Sequence, residues 1–406
     1  MGFLKPRTND NTRRRLGKRM MAITLGTMMT LTALSGIQAM HVGAEESLPL
    51  PRRDGRTVLY VMDEADLKLT DDQAQHIDQI NYAFALLEDG RANGDHWVGV
   101  KELESFLRRH EHIDGVVSVG GWGAEGFSDA CATEEGRAVL AESILQLMDK
   151  HGFVGVDIDW EYPGSSAAGI VSREEDEENW YELLRILRQG LDERQAATGR
   201  DHLLSVAIGG GQAQLDRVDG ERLGELVDQA VIMAYDLKGA ERITGHHAGL
   251  YPDGNTPDSG AYAVKRLTDS GLFAGKILLG MPSYGRMWRQ VGNSADGLNA
   301  RAATPGNKYL RYDEILALEK NGYTMHYDDQ AQAAWWFDGT NFVSGESAQS
   351  IQYKADWLRD NGLLGAAVWA QHQDPEGVLM ATLDAALTDH FAGEGGEDSA
   401  SAQEND

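Results

Sequence analysis

Between residues 57 and 371 the chain alternates eight short, β-rich apolar runs with helical stretches, and few folds accept that rhythm. The runs are 57–62, 77–86, 115–121, 153–160, 202–210, 230–237, 276–284 and 363–371. Helical patterns fill most of the gaps. The clearest starts at Ser172, with Glu175 three residues on as a capping box, and repeats Trp180, Leu183, Leu184, Leu187 and Leu191 at helical spacing. Strands separated by helices pair in parallel, because a parallel partner is reached only through a crossover. Eight such units predict an α/β chain closed as a (β/α)8 TIM barrel, with an open doubly wound sheet as the alternative. A barrel needs about 250 residues, and this chain has 406. The excess lies mainly between strands seven and eight, where the pattern breaks into a short helix and hairpins with a DGTN turn at Asp338–Asn341. The sequence thus predicts a barrel over 45–288 and 346–392 and a small α+β insertion over 289–345.

The ends read differently. Lys5, Arg7, Arg13, Arg14, Arg15, Lys18 and Arg19 face one acid, Asp10, and an uncharged run follows from Met20 to Met40. A basic start, an apolar middle and small residues before an acidic stretch read as a secretory signal peptide over 1–44, cleaved after Ala39 or Ala44. A membrane anchor is the competing reading, diluted by Gly26, Gly36 and several threonines. Residues 393–406 are acidic and poor in apolar side chains, so a disordered tail is expected. The expectation is a secreted monomer, free of the membrane once the leader is removed. With 64 acidic against 37 basic side chains the formal charge is −27, which disfavours nucleic acid and anionic surfaces as partners. The lone cysteine, Cys131, rules out an internal disulfide.

The chemistry concentrates in "FVGVDIDWEYPG", Phe153–Gly164. In a strand, residues i, i+2 and i+4 share one face, so Asp157, Asp159 and Glu161 line up in the barrel interior. Glu161 falls at the carboxyl end, where barrel active sites lie. Crowded, buried carboxylates cannot all ionise, and one keeps its proton near neutrality. That is what a general acid for glycosidic cleavage requires. A solvated acidic face is excluded by Val156, Ile158 and Trp160, which alternate with the acids. A carboxylate metal site lacks a second acidic cluster, and neither a metal nor a cofactor is expected. A barrel that binds sugar without cutting it would be marked by loss of the terminal acid, and Glu161 is present.

With these residues in place, the chain resembles glycoside hydrolase family 18, the chitinase family, whose pattern is D-x-x-D-x-D-x-E. Ser118, Gly120 and Gly121 resemble its S-x-G-G motif on strand three. Residues 233–236 match M-x-Y-D on strand six, 278–288 resemble the strand-seven segment, and Trp369 is similar to the strand-eight tryptophan. The resemblance implies a substrate-assisted, retaining mechanism, an exception to the two-carboxylate scheme. Glu161 would protonate the leaving oxygen and then activate water. Asp159 would orient the substrate's acetamido group, Asp157 would share a proton with Asp159, and Tyr235 would donate to the acetamido oxygen. Met233 and Asp236 would line the same pocket, with Trp369 as its floor. Tyr284 and Arg286 would bind sugar. Trp122, Trp288 and Trp97 either stack on sugars or pack under loops. For His246 and His247 a metal reading has little support, because adjacent residues diverge. Cis peptide bonds are implied at Ala83–Phe84, Glu161–Tyr162 and Trp369–Ala370.

Four departures stand out. Val154 replaces the first acid of the pattern, which the resemblance places at the bottom of the acidic row, so a shifted pH profile is expected. Ser283 stands where a phenylalanine is usual, Ala370 and Gln371 follow Trp369 in place of the usual polar residues, and strand one ends without its usual aromatic. The expected substrate is a β-1,4-linked N-acetylglucosamine polymer, chitin or chito-oligosaccharides. Peptidoglycan, N-glycan cores and a non-catalytic chitin-binding barrel are the alternatives.

Overall fold

A computed structural model describes residues 55–388 except 255 and 293. The leader and cleavage sites expected over 1–44 and the tail expected over 393–406 lie outside the described residues.

Eight parallel strands close on themselves. They are β1 (Arg56–Met62), β2 (Gln79–Glu88), β3 (Asp114–Gly120), β4 (Gly155–Asp159), β5 (Leu203–Gly209), β6 (Gln229–Met233), β7 (Ile277–Pro282) and β8 (Gly365–Trp369). Each pairs with its neighbours in the chain, and β1 pairs with both β8 and β2, which removes every free edge. Helices such as Val100–Arg109, Glu134–His151, Asp176–Thr198, Gly260–Asp269 and Ala348–Asp360 fill the crossovers. Glu134–His151 shows how local sequence sets its ends. Thr133 accepts a hydrogen bond from Gly136 N, and Gly152 closes the helix at φ 71°.

The long helix after β4 starts later than its capping box suggests. It begins at Asp176, not beside Ser172. Asp176 is buried and accepts hydrogen bonds from Ser128 Oγ and from the backbone N–H of Arg173, so the chain ahead of the helix is anchored by this carboxylate. The insertion also begins a strand earlier than the broken pattern suggests. Tyr284–Trp288 leaves the barrel and joins an antiparallel sheet with Lys308–Arg311, Phe342–Gly345, Ala333–Phe337 and Thr324–Asp328. Pro282, at the end of β7, and Ser283 stand at the change of sheet, ahead of this strand.

The main apolar core lies between the outer strand faces and the helices, where Val156, Ile158 and Trp160 pack. The barrel lumen is divided. Val58, Tyr60, Ala83, Val231, Leu278 and Ala367 form an apolar side. The polar side carries Gln79, Asn81, Ser118, Asp157, Ser205 and Gln229, all buried. Gln229 donates across the lumen to Gln79 Oε1 at 3.0 Å, and Gln79 donates to Asn81 Oδ1 at 2.7 Å.

Candidate active site

The acidic row stands where strand alternation puts it. Asp157 is fully buried, Asp159 and Glu161 follow it up the lumen, and Glu161 is 8 % exposed at the mouth. Asp157 Oδ2 accepts hydrogen bonds from Ser118 Oγ at 2.7 Å and from Tyr60 O–H at 3.0 Å. Parallel register sets Ser118 beside Asp157 and Gly120 beside Asp159. The two glycines have separate reasons. Gly120 lies at φ 118°, and a Cβ there would sit 2.1 Å from the Asp159 carbonyl oxygen; at Gly121, φ 93°, it would sit 2.6 Å from the Phe84 ring. Phe84 in turn stacks on Trp369, with ring centroids 5.5 Å apart and planes at 25°. Serine and glycines thus hold one carboxylate, admit a second and make room for the aromatic floor. The peptide bonds Ala83–Phe84, Glu161–Tyr162 and Trp369–Ala370 are cis.

Above the row opens a cleft of about 800 Å³. Asp159, Glu161, Tyr235, Met233, Asp236, Trp369, Tyr284, Arg286 and Trp122 all line it, so every candidate except the deeper Asp157 reaches the same space. Trp122 is 65 % exposed, with its ring 6.2 Å from that of Tyr162. The other two tryptophans pack under loops. Trp97 donates its indole N–H to Phe84 O at 2.9 Å, and Trp288 donates to Glu241 O at 3.0 Å.

Electrostatics separates the carboxylates. Burial raises Asp157, while hydrogen bonds from Ser118, Ser205, Tyr60 and Asn81 pull it back. Burial, then the charges of Glu161 and Asp157, raises Asp159 well above the usual range. Burial pushes Glu161 up to about 7, with Asp236 adding to the rise and a Tyr162 hydrogen bond opposing it. Asp236 goes the other way. Burial alone would raise it, but His247 and Arg286 outweigh burial and hold it well below the carboxylate range. Arg286 Nε donates to Asp236 Oδ1, Nη1 to Gly306 O at 3.0 Å, and Nη2 to Tyr309 O–H at 2.8 Å. The site therefore holds a proton-bearing acid near neutrality beside a fixed anion.

The adjacent histidines do diverge. His246 Nε2 lies 3.2 Å from Asp328 in the inserted sheet, whereas His247 turns toward Asp236. Sequence reasoning did not place Tyr60, Phe84, Tyr162, Tyr309 and Gln214 in the cleft. Tyr60 had a signal, lying in lumen phase on β1; Phe84 had none, because Gln79, Asn81 and Ala83 hold the lumen phase of β2 and the register shifts between Tyr82 and Ala85. Tyr309 had none, because it arrives from the insertion. Val154 is buried just ahead of β4, donating its N–H to Gly115 O at 2.8 Å and accepting from Leu203 N at 3.0 Å. The step from 154 to Asp157 is three residues, out of phase with the two-residue row. The groups that hydrogen-bond Asp157 come instead from Tyr60, Asn81, Ser118 and Ser205.

Comparison with known proteins decides the kinship. The family model of glycosyl hydrolases family 18 matches residues 56–374. The chain belongs to this family. Chitinase A1 of Niallia circulans is 33% identical over 322 residues, covering 72% of this chain and 46% of the relative. Chitinase 1 of Aphanocladium album is 30% identical over 327 residues, covering 75% of this chain and 73% of the relative. Among solved structures, a family 18 N-acetylglucosaminidase from Paenibacillus barengoltzii superposes with a TM-score of 0.79 at 32% identity, covering 82% of this chain and 100% of that one. The family 18 match spans barrel and insertion alike, so the inserted sheet and Arg286 belong to the matched region.

Proposed function

We propose that the protein is a secreted, retaining glycosidase that hydrolyses β-1,4 bonds between N-acetylglucosamine units of chitin or chito-oligosaccharides. The observation that carries the reading is Glu161, a buried acid at the floor of an open cleft, pushed up to about 7 and standing next to Asp159. A group with that pKa is protonated at the start of a cycle and ionised at its middle without a large penalty either way. The basic leader in the sequence supports export.

In the proposed reaction Glu161 gives its proton to the leaving glycosidic oxygen as the C–O bond breaks. The acetamido oxygen of the same sugar forms a new bond to the anomeric carbon, giving a cyclic oxazolinium. Asp159, below, faces the positive charge that develops, and Asp157 holds the shared proton or releases it to Asp159. Tyr235, with its proton firmly retained because burial raises its pKa, donates to the acetamido oxygen. Glu161, now a carboxylate, takes a proton from water as the water attacks the anomeric carbon, and the starting configuration returns. Trp369 supplies the apolar floor, backed by Phe84 and Tyr60, both 5.5 Å away by ring centroid. Arg286, Asp236, Tyr284, Met233 and Trp122 line the path of the chain.

The test is product analysis on chito-oligosaccharides beside peptidoglycan fragments and an N-glycoprotein. The expected result is hydrolysis of the first, with the β-anomer as initial product, and its abolition with retained binding in Glu161→Gln. A wild type that binds chito-oligosaccharides and never turns them over refutes the proposal in favour of a sugar-binding barrel.

A further inference from the structure

His247 is fully buried, yet no step above uses it. Its main chain ties three parts of the site together. Its carbonyl accepts from Leu237 N at 3.0 Å, beside Asp236, and its N–H donates to Ser344 Oγ at 3.0 Å in the inserted sheet. Its ring lies 5.3 Å from that of Tyr284. Nδ1 is 3.5 Å from Asp236 Oδ1, longer than an ordinary hydrogen bond, and among the described residues both ring nitrogens are buried without a hydrogen-bond partner. Asp236 itself stands in the left-handed region at φ 56°, a conformation that costs a non-glycine residue free energy and must be held by its surroundings.

Charge and tautomer both follow. The groups facing the imidazole are Asp236, the Arg286 guanidinium and the Tyr284 phenol, with Glu346 acting from farther off. Glu346 is already paired, in a buried contact, with Lys354. Arg286 neutralises Asp236, so a second cation beside it would be buried without a counter-charge, and burial lowers the His247 pKa. A neutral imidazole carries one N–H. On Nε2 that donor would be buried without an acceptor, and the Nδ1 lone pair would face a carboxylate. On Nδ1 it has the Asp236 carboxylate 3.5 Å away as the acceptor within reach of a small closing shift.

We propose that His247 is a positioning residue for Asp236. Its neutral imidazole donates Nδ1–H to Asp236 Oδ1 and, together with Arg286, fixes that carboxylate at the wall of the cleft near Glu161. Asp236 then acts on catalysis through its place, because its negative charge helps Glu161 to keep its proton.

The inference rests on the glycosidase reading for its kinetic arm only. In the first arm, ¹⁵N NMR of the whole wild-type protein follows His247 between pH 5.5 and 8. A neutral ring protonated on Nδ1 throughout is expected. An imidazolium within that range, or the Nε2–H tautomer, overturns the proposal whether or not the protein cleaves chitin. In the second arm, His247→Leu lowers kcat/KM on chito-oligosaccharides about tenfold, the size of one hydrogen bond to a charged group. It also moves the basic limb of kcat to lower pH. His247→Asn, which keeps an N–H donor near the Nδ1 position, restores most of both. A leucine variant that folds with unchanged kinetics, or an asparagine variant no better than leucine, overturns the proposal.

Discussion

Glu161→Gln should stabilise the folded protein, and by an amount that depends on pH. The glutamate is nine-tenths buried, and its pKa stands at about 7 in the fold against an ordinary 4.5. A carboxyl whose folded pKa is raised binds its proton more tightly in the native state than in the unfolded one. Its contribution to stability is therefore fully present below the unfolded value and lost as pH climbs from about 4.5 through about 7. One pH unit of difference corresponds to about 1.4 kcal/mol, so the ionised glutamate costs the wild type about 3 kcal/mol by pH 8. Glutamine fits the same space and does not ionise. The variant should match the wild type near pH 4.5 and exceed it by up to about 3 kcal/mol at pH 8, a gap of several degrees in Tm. Thermal or urea unfolding at both pH values, without any substrate, makes the measurement. A gap equal at both pH values would refute the claim that burial raises Glu161, and with it the electrostatic ground for assigning the general acid.

Other outcomes follow from single contacts. Ser118→Ala removes a 2.7 Å donor from buried Asp157; the loss should raise that acid by roughly one pH unit and move the acid limb of kcat upward, read from a pH–rate profile. Gly120→Ala places a methyl 2.1 Å from the Asp159 carbonyl oxygen at φ 118°, so a loss of at least about 2 kcal/mol in urea unfolding is expected, along with activity. Trp369→Ala strips the floor that Phe84 and Tyr60 support; kcat/KM should fall by about 10² or more, with folding retained by circular dichroism.

How far the sequence could be read depended on whether the signal was local. The closed barrel followed from eight apolar runs, and the lumen row followed from the two-residue period of one strand. Asp159, Glu161, Tyr235, Asp236 and Trp369 meet in one cleft because each lies at or just beyond the carboxyl end of a barrel strand. What stayed hidden depends on contacts distant in sequence. Tyr309 reaches the cleft through the insertion and bonds Arg286. Asp176 delays its helix through Ser128, far back along the chain. Tyr284–Trp288 changes sheets to pair with strands that come later in the chain, Lys308–Arg311 and Phe342–Gly345. His247 offered only a doubtful metal reading in the sequence, and the fold buries it beside Asp236.

Val154 shows the same limit from the other side. As a pattern, a valine in place of an acid suggested an altered proton-sharing row and a shifted acid limb. In the fold, polar groups from several lumen strands carry that duty. Tyr60, Asn81, Ser118 and Ser205 act on Asp157, and Gln79 and Gln229 brace Asn81 from below. Position 154 contributes a buried apolar side chain ahead of the strand, out of phase with the row. An aspartate there would gain no place in the Asp157 ring and would pay for burial with its own desolvation. Val154→Asp is thus expected to lower the urea midpoint by the equivalent of at least about 2 kcal/mol at pH 7, with the cost shrinking toward pH 4 as the new acid takes up a proton. The acid limb of kcat should stay within a few tenths of a pH unit. An unchanged midpoint with a displaced acid limb would put position 154 back in contact with the catalytic row and refute the argument from strand phase.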